Sequence, residues 1–140
     1  YAAAIPKFIK AFINYQEPVI HGDGSQSRDF TYIDNVIQAN ELAATTKNQD
    51  ALNQVYNVAC GEQSFLKELI ENLRDLLSEF DSEIKNIEIK NGPERIGDVK
   101  HSLASIEKAQ KLLNYHPTHN LKQGLNSAIE WYWNYYKTNS

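Results

Sequence analysis

The sequence contains no methionine, one cysteine and no long apolar run. A lone Cys60 forms neither an intrachain disulfide nor a multi-cysteine zinc site, which favours a reducing compartment. No apolar segment approaches the roughly 20 residues that a membrane-spanning helix needs. The formal net charge of −4 argues against nucleic acid or an anionic membrane surface as a partner. These absences predict a cytoplasmic protein.

Several catalytic and cofactor motifs are also missing from the sequence. Gly22-Asp23-Gly24 is followed three positions later by Ser27, so the dinucleotide-binding pattern Gly-x-Gly-x-x-Gly fails. The phosphate-binding P-loop, Gly-x-Ser-x-Gly and His-Glu-x-x-His are absent. No tyrosine is followed by lysine four positions on, which excludes a helical Tyr-x-x-x-Lys proton-transfer pair. The sequence therefore predicts no catalytic residue, no cofactor-binding residue and no metal site within this chain.

The pattern of apolar residues predicts an α/β fold in one domain over residues 1–140. Helical spacing predicts five helices, the last four capped by side chains of Asp34, Ser64, Ser105 and Asn120. Short β-branched runs predict strands at Pro18–His21, Gln54–Val58 and Ile84–Ile89. The chain begins at Tyr1 inside a helical pattern and lacks methionine, so we interpret it as part of a longer protein.

Two arginines in loops are the strongest candidates for ligand binding. Arg28 follows the Gly22–Gly24 turn, and Arg95 follows a turn that contains glycine and proline. A guanidinium group binds phosphate oxygens in a bidentate manner, so the two arginines suit a diphosphate, with Asp98 placed to accept from a ribose diol. The alternative is that both arginines form surface ion pairs with nearby carboxylates. Spacing alone favours this alternative.

Five blocks of sequence carry a resemblance to a known family: AIPKFI, VIHGDGSQSRDFTYIDNVIQAN, VYNVACGE, RIGDVKHS and KLLNYHPTHNLKQGL. In this order they resemble the C-terminal part of extended short-chain dehydrogenases/reductases. Within that superfamily the chain is most similar to bacterial NAD-dependent UDP-N-acetylglucosamine 4-epimerases of surface-polysaccharide pathways. The resemblance implies a small mixed α/β lobe of helices and short strands without its Rossmann lobe. NAD and the catalytic tyrosine and lysine would belong to the missing N-terminal lobe.

The resemblance also implies roles for individual residues toward a UDP-sugar. Arg28 of the R-D-F block and Arg95 of the R-x-G-D block would contact the diphosphate, and Asp98 would contact the ribose. Val19 would supply backbone contacts to uracil, and the side chain of His21 would lie against the uracil ring.

The resemblance also implies that two small residues line the pocket for the sugar. Ser102, seven positions after Arg95, matches the position at which a bulky residue in galactose-only epimerases restricts the pocket. Serine there resembles enzymes that accept N-acetylhexosamines, and Ala3 would line the same pocket.

For an intact enzyme the resemblance implies oxidation at sugar C4 by NAD, rotation of the 4-keto sugar, and return of hydride to the opposite face. The enzyme is expected to be a homodimer, whereas this chain alone is expected to be inactive, and its own oligomeric state is left open. Two alternatives stay open at this point. In the first, the chain is the same lobe of a nucleotide-sugar dehydratase or decarboxylase. In the second, it is a free-standing ligand-binding or interaction module.

Overall fold

The computed structural model describes residues 4–138, so Ala3 lies outside the described residues. Within this range the helices are α1 (Ala4–Ile13), α2 (Ile33–Thr45), α3 (Leu66–Ser78), α4 (Glu107–Leu113) and α5 (Leu121–Thr138). The strands are β1 (Val19–His21), β2 (Ser27–Arg28), β3 (Ser64–Phe65) and β4 (Lys90–Gly92). Two short 3-10 helices cover Gln49–Ala51 and Ser82–Asn86. This content confirms the predicted mixed α/β fold of helices and short strands.

The described residues form two compact units, each built from segments that are distant in sequence. Unit 1 comprises residues 4–26, 65–100 and 125–138, and unit 2 comprises residues 27–64 and 101–124. The single domain over residues 1–140 stays a prediction. Among residues 4–138, no helix combines the length and apolar character that crossing a membrane requires.

The core of unit 1 is formed by one face of α1 against one face of α3. In α1, apolar residues recur at helical spacing, and Pro6 is tolerated because it lies in the first turn, where the amide has no intrahelical acceptor. A leucine, isoleucine or phenylalanine side chain contributes about 1.5–3 kcal/mol to the stability of the fold when it is fully buried. The buried residues of the two helices are Phe8, Ile9, Phe12, Ile13, Leu69, Ile70, Leu73 and Leu77.

Unit 1 also contains a two-stranded parallel sheet, in which β1 pairs with β4. The predicted strand at Pro18–His21 is confirmed, with Ile20 buried and its two neighbours exposed. The strand predicted at Ile84–Ile89 is wrong, because Ile84 lies in a 3-10 helix that Asp81 caps by accepting from the Glu83 amide at 3.1 Å. The paired strand begins only at Lys90.

The core of unit 2 lies between α2, α4 and the first 3-10 helix. Tyr115 in this core is completely buried and donates its hydroxyl hydrogen to the Ala59 carbonyl at 2.7 Å. The strand predicted at Gln54–Val58 is wrong, since this described segment pairs with no strand and Val55 is 86% exposed. The buried residues of this core are Ala39, Ala51, Ala59, Ile106, Ala109, Leu113 and Tyr115.

One of the four predicted helix caps is confirmed. Asn120 Oδ1 accepts from the Gln123 amide and Gln123 Oε1 accepts from the Asn120 amide, both at 2.9 Å, so the two residues form a capping box at the start of α5. The other three predictions are wrong, because α2, α3 and α4 begin after Tyr32, Phe65 and Ile106, without a side-chain cap.

Replacing Asn120 by alanine is expected to lower the free energy of unfolding by about 1 kcal/mol, because the Gln123 amide loses its acceptor. Urea denaturation of the wild type and the variant measures the difference. Asn120→Ser is the matched control, since its hydroxyl is also a good N-cap, and it should recover most of the loss. Equal stability of wild type and alanine variant would show that this cap contributes nothing.

Candidate functional site

In unit 1, the carboxyl ends of β1 and β4 lie at the same edge because the strands are parallel. The Gly22 amide donates to the Gly92 carbonyl at 3.0 Å, and His21 Nδ1 lies 3.3 Å from the Pro93 carbonyl oxygen. A Cβ atom on Gly92 would lie 2.9 Å from Val19 Cγ1, so glycine permits this close approach. The segment that follows β4 is therefore held by polar contacts against the end of β1.

That segment continues into a tight turn that carries two of the predicted ligand residues. The Asp98 amide donates to the Arg95 carbonyl at 3.2 Å, and Gly97 has a φ of +81°, which glycine adopts without strain. Arg95 and Asp98 are both exposed. Unit 1 thus presents a guanidinium group and a carboxylate on one turn.

Val19 and His21 occupy the exposed face of β1, while Ile20 between them is buried. Val19 is 47% exposed. The alternation of a strand places these two side chains on the same face. Unit 1 therefore carries four predicted residues, with Val19 and His21 on β1 and Arg95 and Asp98 on the turn that follows its partner strand.

In unit 2, the main chain of Ser27 links two other predicted residues. The Ser27 carbonyl accepts from Arg28 Nη1 at 2.8 Å and from the Ser102 amide at 3.1 Å. Arg28 is half-buried and Ser102 is exposed. Arg28 belongs to unit 2 and Arg95 belongs to unit 1. The convergence of both arginines on one anion therefore stays a prediction.

The side chain of Ser27 belongs to a polar cluster that the sequence reasoning missed. Ser27 is completely buried, its Oγ lies 2.8 Å from His101 Nδ1, and Gln63 Nε2 donates to the same Oγ at 2.6 Å. The three residues are far apart in sequence and share no motif. The only available signal was that Ser27 precedes Arg28 and His101 precedes Ser102.

Asp29 binds the main chain rather than acting as a free carboxylate. Its two oxygens accept from the amides of Cys60 and Gly61, each at 2.9 Å. Burial raises the pKa of the Cys60 thiol, and the carboxylates of Glu62 and Asp29 raise it further. A thiol with a raised pKa stays protonated at neutral pH and is a poor nucleophile. We therefore interpret Cys60 as a structural residue and not as a nucleophile.

Asn35, another residue that the sequence reasoning missed, organises the loop before α5. Its buried amide oxygen accepts from the amides of Thr118 and His119 at 2.8 and 3.1 Å, and its amide nitrogen donates to the His119 carbonyl at 2.7 Å. The ring of His119 in turn lies 4.9 Å from that of Tyr32. Within residues 4–138, no group of three or more histidine, cysteine, aspartate or glutamate side chains is arranged to hold a metal ion.

Comparison with known proteins identifies a family. The model of the family described as GDP-mannose 4,6 dehydratase matches residues 2–128. Among curated proteins, UDP-N-acetyl-alpha-D-glucosaminuronate decarboxylase of Bacillus cytotoxicus is 25% identical over 133 residues, covering 94% of this chain and 40% of the decarboxylase.

Two solved structures extend the comparison. UDP-N-acetylglucosamine 4-epimerase from Methanobrevibacter ruminantium M1, in complex with UDP-N-acetylmuramic acid, is 36% identical with a TM-score of 0.76, covering 100% of this chain and 41% of the epimerase. UDP-glucuronic acid 4-epimerase from Bacillus cereus, in complex with UDP-glucuronic acid and NAD, is 29% identical with a TM-score of 0.74, covering 99% of this chain and 40% of that structure.

The chain thus spans about 40% of the length of the relatives that it matches. The residues matched by the family model include β1, both arginine-bearing loops and the two residues that cap α5. Because the family model covers nearly the whole sequence and solved relatives share the fold, this chain belongs to the GDP-mannose 4,6 dehydratase family of extended short-chain dehydrogenases/reductases.

Proposed function

We propose that this chain is the UDP-sugar-binding part of an NAD-dependent 4-epimerase that interconverts UDP-N-acetylglucosamine and UDP-N-acetylgalactosamine. The observation that carries the proposal is the 36% identity to a UDP-N-acetylglucosamine 4-epimerase across the full length of the chain. The presence of serine at position 102, where the pocket would have to admit an N-acetyl group, supports the same substrate class.

The two arginine-bearing loops would bind the charged part of the substrate. Arg28 and Arg95 would donate to diphosphate oxygens, and the Asp98 carboxylate would accept from the ribose hydroxyls. Charge-assisted hydrogen bonds of this kind are roughly twice as strong as neutral ones. The turn geometry supports a shared role for Arg95 and Asp98, because the Asp98 amide donates a hydrogen bond to the Arg95 carbonyl.

The uracil ring would lie against β1. The main chain of Val19 would contact its polar edge, and the imidazole of His21 would lie against its face. His21 is exposed, and its Nδ1 lies 3.3 Å from the Pro93 carbonyl oxygen, which supports a defined orientation of the ring.

NAD, when bound by the N-terminal part of the intact enzyme, would accept hydride from sugar C4 and return it. The residues of this chain would hold the UDP end, which does not react. Binding energy from such a remote group positions the reacting carbon. We accordingly expect a cytoplasmic, homodimeric enzyme in the intact state, and no turnover by this chain alone.

Ser102→Tyr in the full-length protein tests the proposed substrate class. The larger side chain is expected to lower kcat/KM for UDP-N-acetylglucosamine at least tenfold more than for UDP-glucose, because the N-acetyl group needs the space that tyrosine occupies. Ala3 would line the same pocket. Ser105→Ala, an exposed change nearby in sequence, is the control and should leave both values unchanged. An unaltered ratio of the two kcat/KM values would refute the assignment of Ser102.

A second candidate reaction is supported by the 25% identity to a UDP-N-acetyl-alpha-D-glucosaminuronate decarboxylase over 94% of the chain. Incubating the full-length protein with UDP-N-acetylglucosamine and with its glucuronate counterpart separates the candidates. A C4 epimer seen by proton NMR supports the epimerase, release of carbon dioxide supports the decarboxylase, and a 4-keto-6-deoxy sugar supports a dehydratase. Tight ligand binding without any conversion would support a binding module instead.

A further inference from the structure

Besides Tyr115, the buried residues with a polar side chain among the described residues are Ser27 and Asn35. Asn35 is fully engaged with the loop before α5, whereas Ser27 contacts residues next to the proposed ligand site. Four groups converge on Ser27. Its carbonyl accepts from Arg28 Nη1 and from the Ser102 amide, and its hydroxyl contacts Gln63 and His101.

The Ser27 hydroxyl is hydrogen-bonded from two sides. The Gln63 amide nitrogen donates to Ser27 Oγ at 2.6 Å, and Ser27 Oγ and His101 Nδ1 share a hydrogen bond at 2.8 Å, in which the tautomer of His101 decides which of them donates. Ser27 is thus held from two separate segments of unit 2.

We propose that Ser27 is a positioning residue for substrate binding, which sets the Arg28 guanidinium against the diphosphate and fixes Ser102 relative to it. This inference rests on the proposed function. The hydroxyl orients Ser27 through Gln63 and His101, and the carbonyl of the same residue then orients both ligand residues. A displacement of Ser27 therefore moves Arg28 and Ser102 together.

Ser27→Ala in the full-length protein tests this inference. Calorimetry is expected to show UDP binding about 3- to 10-fold weaker, which corresponds to the loss of one hydrogen-bonding group. Binding of uridine, which lacks the diphosphate, is expected to change by less than about twofold in an NMR titration. In turnover assays KM should rise by a larger factor than kcat falls, because Arg28 would act on the part of the substrate that does not react.

His101→Ala provides a second test that does not depend on a buried substitution, because His101 is exposed. It should weaken UDP binding in the same way, and His101→Asn should restore part of the affinity, since its side-chain amide both donates and accepts hydrogen bonds and so serves either role toward Ser27. Ser105→Ala is the control with unchanged affinity.

The outcomes separate this inference from the proposed function. If the wild-type protein binds no UDP, the proposed function fails and the inference fails with it. If the wild type binds UDP and Arg28→Ala weakens binding, but Ser27→Ala and His101→Ala do not, only the positioning role is overturned. An equal loss of UDP and uridine affinity in both variants would also overturn it, because it would indicate general structural damage.

Discussion

Replacing Arg28 by alanine in the full-length protein is expected to weaken UDP-sugar binding by about 2–3 kcal/mol, or roughly 30- to 140-fold in Kd. The physical reason is that Arg28 is half-buried and one of its terminal nitrogens is already bonded to the Ser27 carbonyl at 2.8 Å. A guanidinium group held in this way loses little conformational freedom when it binds a diphosphate. Isothermal titration calorimetry with UDP measures the effect directly.

The control for this experiment removes a positive charge elsewhere in unit 2. Lys111 is exposed on α4, so Lys111→Ala changes the net charge equally and should leave Kd within twofold. Arg95→Ala should weaken binding by less than Arg28→Ala, because exposed Arg95 must be ordered when the ligand binds. A Kd unchanged by Arg28→Ala would remove Arg28 from the diphosphate site.

Replacing Asn35 by alanine is expected to lower the free energy of unfolding by about 3 kcal/mol, the largest stability change that we predict for a single residue here. Alanine would leave the amides of Thr118 and His119 without their acceptor, and the His119 carbonyl with Cys60 Sγ at 3.5 Å as its remaining donor. Each unsatisfied buried polar group costs about 1–3 kcal/mol, and partial hydration of this loop reduces the sum. Urea denaturation followed by circular dichroism measures the change.

Asn40→Ala is the matched control on the same helix. Asn40 is exposed, and its side chain donates only to the Val36 carbonyl one turn earlier. Asn40→Ala therefore also replaces an asparagine of α2 by alanine, but it removes no hydrogen bond to the loop before α5. The control should be neutral or slightly stabilising. Equal effects of the two substitutions would mean that the Asn35 network contributes no net stability.

The helices could be predicted from the sequence because their signal is local. Buried residues such as Ile9 and Leu73 recur at helical spacing, and burial of that face selects the helix. The strands were harder, since those described here contain only two or three residues. Gln54–Val58 has β-branched residues yet pairs with no strand in the described chain, because β pairing depends on a partner segment and not on composition.

The candidate ligand residues were reached through motifs and resemblance, and spacing alone favoured surface ion pairs. The structure shows the Asp29 carboxylate accepting from two main-chain amides. It also shows that Arg95 and Asp98 share one turn, as their close spacing suggested. The sequence showed only that Ser27 precedes Arg28 and that His101 precedes Ser102. It did not show that the Ser27 carbonyl links Arg28 to Ser102, because that link forms only when distant segments pair.

By itself the sequence determined the apolar face of each helix, the family blocks and the absence of a dinucleotide-binding motif. These properties are local, since they depend on residues within a few positions of one another. Only the tertiary structure decided that Ser27 is buried against His101 and Gln63, and that the Asn35 side chain accepts from the main-chain amides of Thr118 and His119. The reason is that a buried polar group must find hydrogen-bond partners wherever the fold supplies them, and those partners lie up to 84 residues away.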